Sequence, residues 1–361
     1  MSNFDTQDIT QESGASTEQK GVYTQGKFEK IDLHTPVLED VDHPLVPELD
    51  QTYRSREING RSDLEVISYT IEDPDYFTMI EGEAGVGKNM ALKAIAQTCN
   101  WPMLRVNFSI GTTYQSLVGR YAPVDSESTE EETIDRSEAI RNVATRIFSQ
   151  NESMEYEKAL ELASLAVPSG SSFAWVDGLL TKAVKNGWMF VADEINAAED
   201  EAIMPLNGLT EDRESRYLTI EEKSEVITPH ERFRFIATRN PIDYAGVSEM
   251  NSALQSRAYV VEMPYHDDDA ILEIIKKRSN AIDNVGEAPV RKMIEVAQNI
   301  RRQEQSENDY ITKISTRDLI KASRLTDMMD MESAVKTVFL GIADPSDKDA
   351  IKGDIRDEKF Q

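Results

Sequence analysis

The stretch Gly82-Glu83-Ala84-Gly85-Val86-Gly87-Lys88-Asn89 decides how the rest of the chain is read. A short apolar run, Tyr76 to Ile80, precedes it. Behind it, Leu92, Ile95, Ala96 and Cys99 recur at helical spacing through Asn89 to Cys99. A glycine-rich turn between strand and helix that closes on Gly-Lys suits phosphate. Glycines let backbone N–H groups turn inward, the helix N-terminus adds its positive end, and Lys88 reaches the outer phosphates. A plain glycine-rich corner is the alternative, and the complete Gly-x4-Gly-Lys spacing in this context argues against it. Gly82, Glu83, Ala84, Gly85, Val86, Gly87, Lys88 and Asn89 are therefore candidate nucleotide-binding residues. Asn89 stands where the motif expects Ser or Thr, whose hydroxyl ligates Mg²⁺. Its amide oxygen is also a hard, neutral ligand, on a longer arm, so binding should survive while the metal geometry and the rate change.

Outward from this loop, apolar runs alternate with helical patterns. Met103 to Phe108, Trp188 to Ala192, Phe233 to Thr238 and Tyr259 to Met263 read as strands, the second of them buried on both faces. The alternation predicts an α/β fold: a P-loop NTPase core with a parallel sheet, followed by a small C-terminal α-helical lid domain. Asp193 and Glu194 end the run Trp188 to Ala192. Such a pair places one carboxylate, Asp193, on Mg²⁺ or its waters and the next, Glu194, on the attacking water. Asn240 ends the strand after Thr238, where a polar residue can sit beside the outer phosphate; capping the turn before Pro241 explains it equally well. Arg257 precedes a strand and Arg317 opens a helix. Both can be surface ion-pair partners or phosphate-facing cations.

The core is expected over 36–264 and the lid over 265–361, behind a disordered polar arm over 1–35. Residues 123–172 interrupt the core with an acidic run, two helical patterns and Pro168-Ser169-Gly170-Ser171-Ser172, and are expected to be a helical insertion. In the 361-residue chain, 66 acidic residues face 39 basic ones, a net charge of −27. That balance leaves no electrostatic footprint for nucleic acid and suits a surface hydrated in high salt. Cys99 is the only cysteine, so no intramolecular disulfide can form, and the four histidines lack metal-ligand spacing. No apolar run reaches membrane-spanning length, and residues 1–26 do not read as a signal peptide, so a cytoplasmic location is expected.

Together these pieces resemble the AAA+ ATPases of the MoxR and dynein-related group, and more narrowly the CobS subunits of aerobic cobaltochelatase. The narrower likeness rests on Asn100-Trp101-Pro102 with Arg105-Val106-Asn107, on Leu117-Val118-Gly119, on His230 to Thr238 with Asn240, and on Ala334 to Leu340. The resemblance implies ATP and Mg²⁺ as ligand and cofactor, and ATP hydrolysis as the activity. It makes Asn240 sensor 1, Arg317 sensor 2 and Arg257 an arginine finger offered to the next subunit of a hexameric ring. It also implies a partner with a von Willebrand factor A domain; in the CobS case the outcome is metal insertion into a corrin. Ala258 departs from the aromatic residue usual after the finger. Ser109 to Tyr114 lies where such rings place a pore loop, and reads as readily as a surface loop. A nucleotide-binding switch with little hydrolysis is the remaining reading, kept open by Asn89.

Overall fold

The structure, a computed structural model, describes residues 21–22, 31–38, 42–48, 53–124, 133–134, 136–149, 155–166, 172–241, 252–303, 311–357 and 360. Its centre is a five-stranded parallel sheet: β1 (Phe77–Glu81), β2 (Met103–Asn107), β3 (Met189–Asp193), β4 (Arg234–Arg239) and β5 (Ala258–Glu262). The order across the sheet is β5-β1-β4-β3-β2, every neighbouring pair parallel. The strands sit within a residue or two of the predicted runs.

Period-two alternation splits the core into two layers. Met79, Phe190, Ala192 and Phe235 face one side with Leu180, Ala183 and Val184 of the helix Leu179–Asn186. Ile80, Val191 and Ile236 face the other with Leu64 and Ile67 of the helix Asp63–Glu72 and Leu92 and Ile95 of the helix Lys88–Thr98. All five residues of β3 are buried, which is why that run carries no polar alternation. Register aligns Asp193 with Asn107, and Arg239 with Glu81, so the functional groups collect at the carboxyl edge of the sheet. Ligands of open α/β sheets bind at that edge.

Behind β5 the chain is helical: Asp268–Arg278, Ala281–Val285, Glu287–Gln303, Thr316–Leu325, Met331–Ile342 and Lys348–Asp357. They bury one apolar cluster that includes Ile271, Met293, Ile300, Leu319 and Phe339. Asp267 and Asp330 cap two of the helices through their carboxylates, and Ser315 with Asp318 forms a capping box on a third.

Two expectations are corrected. The arm assigned to 1–35 ends too late: Ile31–Asp32 pairs with Gly21–Val22, and Ile31, Leu33 and Thr35 are buried against the core. The remainder of that arm lies outside the described residues. The insertion holds the two expected helices, Arg136–Ser149 and Tyr156–Ala166, but is rooted in a small sheet. Gly119–Val124 and Thr133–Ile134 both pair antiparallel with Ser172–Asp177. Ser172 to Asp177 follows directly on a Ser-Gly stretch, and Pro123 interrupts the partner strand, so neither showed a clean strand pattern.

Candidate nucleotide site

The loop between β1 and the helix Lys88–Thr98 needs its glycines. Gly85 has φ +79° and Gly87 φ +105°, in the left-handed region that β-carbons disfavour. Gly87 is also the helix N-cap and offers no side chain to the first amides, which leaves them for an anion. A cleft of about 550 Å³ opens at this point. Ala84 to Asn89, Asp193, Glu194, Asn240 and Arg317 line it, ten of the thirteen residues the sequence nominated; Gly82, Glu83 and Arg257 do not.

Lys88 is buried, and its Nζ donates to Gly82 O at 2.5 Å, Glu83 O at 3.2 Å and Asn240 Oδ1 at 2.8 Å. Burial pushes its pKa down to about 8; Asp193, Glu194 and Glu83 pull it upward and Arg317 lowers it further. Asn240 Nδ2 in turn donates to Glu194 Oε1 at 3.5 Å, a weak contact. Lysine, amide and carboxylate thus form one chain across the mouth of the loop. Asn240, the middle member of that chain, directly follows β4, and its backbone carbonyl accepts from Asn196 Nδ2 at 3.1 Å.

Asp193 and Glu194 are held differently. Asp193 ends β3 and is buried; Thr238 Oγ1 donates to its Oδ1 and Asn89 Nδ2 to its Oδ2 at 2.8 Å. Arg105 Nε lies 3.7 Å from the same Oδ2. Glu194 leaves the strand with φ +57° and ψ +44°, unusual for a residue with a side chain, and its N–H donates to Thr238 Oγ1 at 3.2 Å. Backbone strain of this kind costs about 1–3 kcal/mol and needs surrounding contacts to hold it. Thr238 supplies that hold by touching both acidic residues.

Asn89 and Asp193 are the residues that fit Mg²⁺. Asn89 Oδ1 is buried with no hydrogen-bond partner among the described residues, a neutral oxygen beside a carboxylate. A bound Mg²⁺ would neutralise phosphate charge there. Among the described residues no group of three or more His, Cys, Asp or Glu side chains is placed to hold a metal, which leaves phosphate and water oxygens to complete the shell.

Arg317 lies in the first turn of the helix Thr316–Leu325 and lines the cleft. A β-carbon on Gly85 would stand 3.7 Å from its Cγ and 2.9 Å from Ser315 Cβ, so the lid presses directly on the phosphate loop. Arg257 is elsewhere. It pairs with Glu211 at 2.8 Å, half-exposed, and does not line the cleft of its own chain. Four site residues escaped the sequence reading: Thr238, Arg105, Arg56 and His266. Thr238 carried a signal, as the polar residue that ends the apolar run Phe235-Ile236-Ala237; Arg56 and His266 carried none.

Residues 135–258 match the AAA domain of the dynein-related subfamily, and residues 272–352 match the CbbQ/NirQ/NorQ C-terminal domain. An uncharacterized protein of Staphylococcus saprophyticus is 27% identical over 274 residues, covering 76% of this chain and 87% of its own. One of Staphylococcus haemolyticus is 27% identical over 278 residues, covering 77% and 88%. A crystal structure from Cytophaga hutchinsonii covers 79% of this chain and 85% of its own at 16% identity and a TM-score of 0.36. No described helix is long and apolar enough to cross a membrane. The β5-β1-β4-β3-β2 sheet, phosphate loop and helical C-terminal region give the chain an AAA+ fold, in which residues 135–258 are similar to a dynein-related AAA domain and residues 272–352 to a CbbQ/NirQ/NorQ C-terminal domain.

Proposed function

We propose that this chain hydrolyses ATP and does so as a subunit of a ring of the MoxR and CbbQ kind that remodels or loads a protein partner. The observation that carries the reading is the Lys88–Asn240–Glu194 chain over the phosphate loop, with Arg257 outside it. Lys88 and Arg317 supply positive charge to the outer phosphates. Glu194 accepts the proton of the attacking water, and Asn240 orients that water between the amide and the phosphate. Arg257 completes the site of the next subunit, where it stabilises charge that develops only in the transition state.

The test is a mixing experiment. Arg257→Ala and Glu194→Gln should each bind ATP nearly normally and turn over poorly. Mixed under conditions of subunit exchange, they should recover part of the activity, because some interfaces join an intact Glu194 to an intact Arg257. Specific activity of the unmodified protein should rise with protein concentration. Concentration-independent turnover with no rescue would place the whole site within one chain and return Arg257 to a surface ion pair.

A second reading, a nucleotide-dependent switch with little hydrolysis, is favoured by one contact. Asn89 Nδ2 occupies Asp193 Oδ2, where Ser or Thr would present a smaller hydroxyl. Steady-state turnover separates the two. A partner with a von Willebrand factor A domain, and metal insertion into a corrin, are carried by family resemblance; co-purification from native lysate tests the first, and assay with cobalt and a corrin the second.

A further inference from the structure

The cleft is chemically uneven. Its carboxylates, Asp193 and Glu194, stand with the phosphate-binding groups, whereas Tyr53, Ile274 and Ile320 give it apolar wall. His266 lines it too and is 7% exposed. Arg56 determines what this imidazole can do. Arg56 Nη2 lies 2.8 Å from His266 Nε2. A guanidinium is always protonated and only donates, so Nε2 must accept and the ring proton sits on Nδ1. Burial, and then the charge of Arg56, push the imidazole pKa down to about 3, so the ring is neutral at any ordinary pH.

Arg56 is itself immobilised. Its Nε pairs with Asp63 at 3.1 Å, and Nη1 donates to Pro264 O. Nη2 also donates to Val86 O, in the phosphate loop, at 2.7 Å. Asp63 accepts the Tyr53 hydroxyl at 2.6 Å, which turns the Tyr53 ring into fixed wall. The result is a rigid, neutral N–H donor set among apolar surfaces, with Nδ1 bonded to no described residue. Apolar walls take a planar base between them, and a single in-plane donor needs a ring acceptor. No carboxylate among those walls meets the N1–H and 2-amino donors of guanine, so adenine suits the cleft better.

We infer that His266 reads the purine of the bound nucleotide by donating from Nδ1–H to an acceptor nitrogen of the base, in the tautomer that Arg56 imposes. The inference rests on the nucleotide reading above. It also makes Arg56 a positioning residue that ties the base end of the cleft to the phosphate loop through Val86.

Isosteric variants test it. The amide nitrogen of asparagine overlays histidine Nδ1, and the amide oxygen of glutamine overlays Nε2. His266→Gln therefore keeps the Arg56 contact and loses the base donor; His266→Asn does the reverse. By calorimetry, His266→Gln should bind ATP about tenfold more weakly, while tripolyphosphate binding changes by less than about twofold. His266→Asn should recover most of the ATP affinity, and GTP should bind the unmodified protein more weakly than ATP. A fall in tripolyphosphate affinity equal to that for ATP would overturn the inference, since His266 would then act on the phosphate loop through Arg56. So would normal ATP binding by His266→Gln. Should either variant fail to fold, ¹⁵N-histidine labelling of the unmodified chain decides: the His266 Nδ1 signal should be pyrrole-like and should move with ATP but not with tripolyphosphate. An unmodified protein that binds neither ligand would sink the nucleotide reading instead.

Discussion

Lys88 carries a depressed pKa, about 8, at the point where polyphosphate would sit. Phosphate oxygens favour the charged ammonium, so they raise that pKa. Above about pH 8, binding must then take up a proton, and affinity falls as pH rises until the bound-state pKa is passed. Calorimetry at about pH 9 in buffers of different ionisation heat should show net proton uptake, shrinking toward zero at about pH 7. Equal binding enthalpy in all buffers at the higher pH would mean that Lys88 does not meet the phosphates. Asn89 gives a second residue-scale expectation. A threonine in its place could offer a hydroxyl to both Asp193 and the metal, so Asn89→Thr should maintain or raise turnover by up to about tenfold. A large loss would show that the native amide, with its unpartnered Oδ1, makes a contact threonine cannot replace.

At the scale of elements, the lid rests on the phosphate loop through Gly85 and the first turn of Thr316–Leu325. Gly85→Ala adds a β-carbon at a positive φ and 2.9 Å from Ser315 Cβ. It should cost roughly 1–3 kcal/mol of stability and weaken ATP binding by displacing Arg317. Melting temperature and nucleotide titration measure the two; an unchanged titration would separate lid position from binding. The five core strands were legible because each is a short, mostly apolar run between helical patterns, although only Trp188 to Ala192 is apolar throughout and Met103 to Phe108 carries Arg105 and Asn107. The phosphate loop and acidic pair were legible because their chemistry is contiguous in sequence. The base end of the cleft was not, since Arg56 and His266 stand 210 positions apart and only the folded chain brings them together. The small sheet under the insertion was hidden for another reason: its strands are short, and their pairing is not local.

For the molecule as a whole, the net charge of −27 sets cationic groups apart. Lys88, Lys93, Arg105 and Arg317 line the cleft, so a polyphosphate would meet a basic pocket in an acidic body. If the acidic surface is a salt adaptation, repulsion acts over about 10 Å at ~0.1 M salt and fades as salt is added. The melting temperature should then rise between low and molar KCl; a flat or falling trend would remove that reading. Electrostatic attraction to the cleft is screened by the same salt, so ATP affinity should fall while stability climbs.

The insertion leaves and rejoins the core at one spot, because Gly119 pairs with Asp177. A segment whose two ends are neighbours can be lengthened, shortened or exchanged with little disturbance to what lies beneath. The chain therefore keeps its nucleotide cleft and its insertion in separable pieces. Duplicated copies could diverge in that segment alone, each inheriting an unaltered cleft.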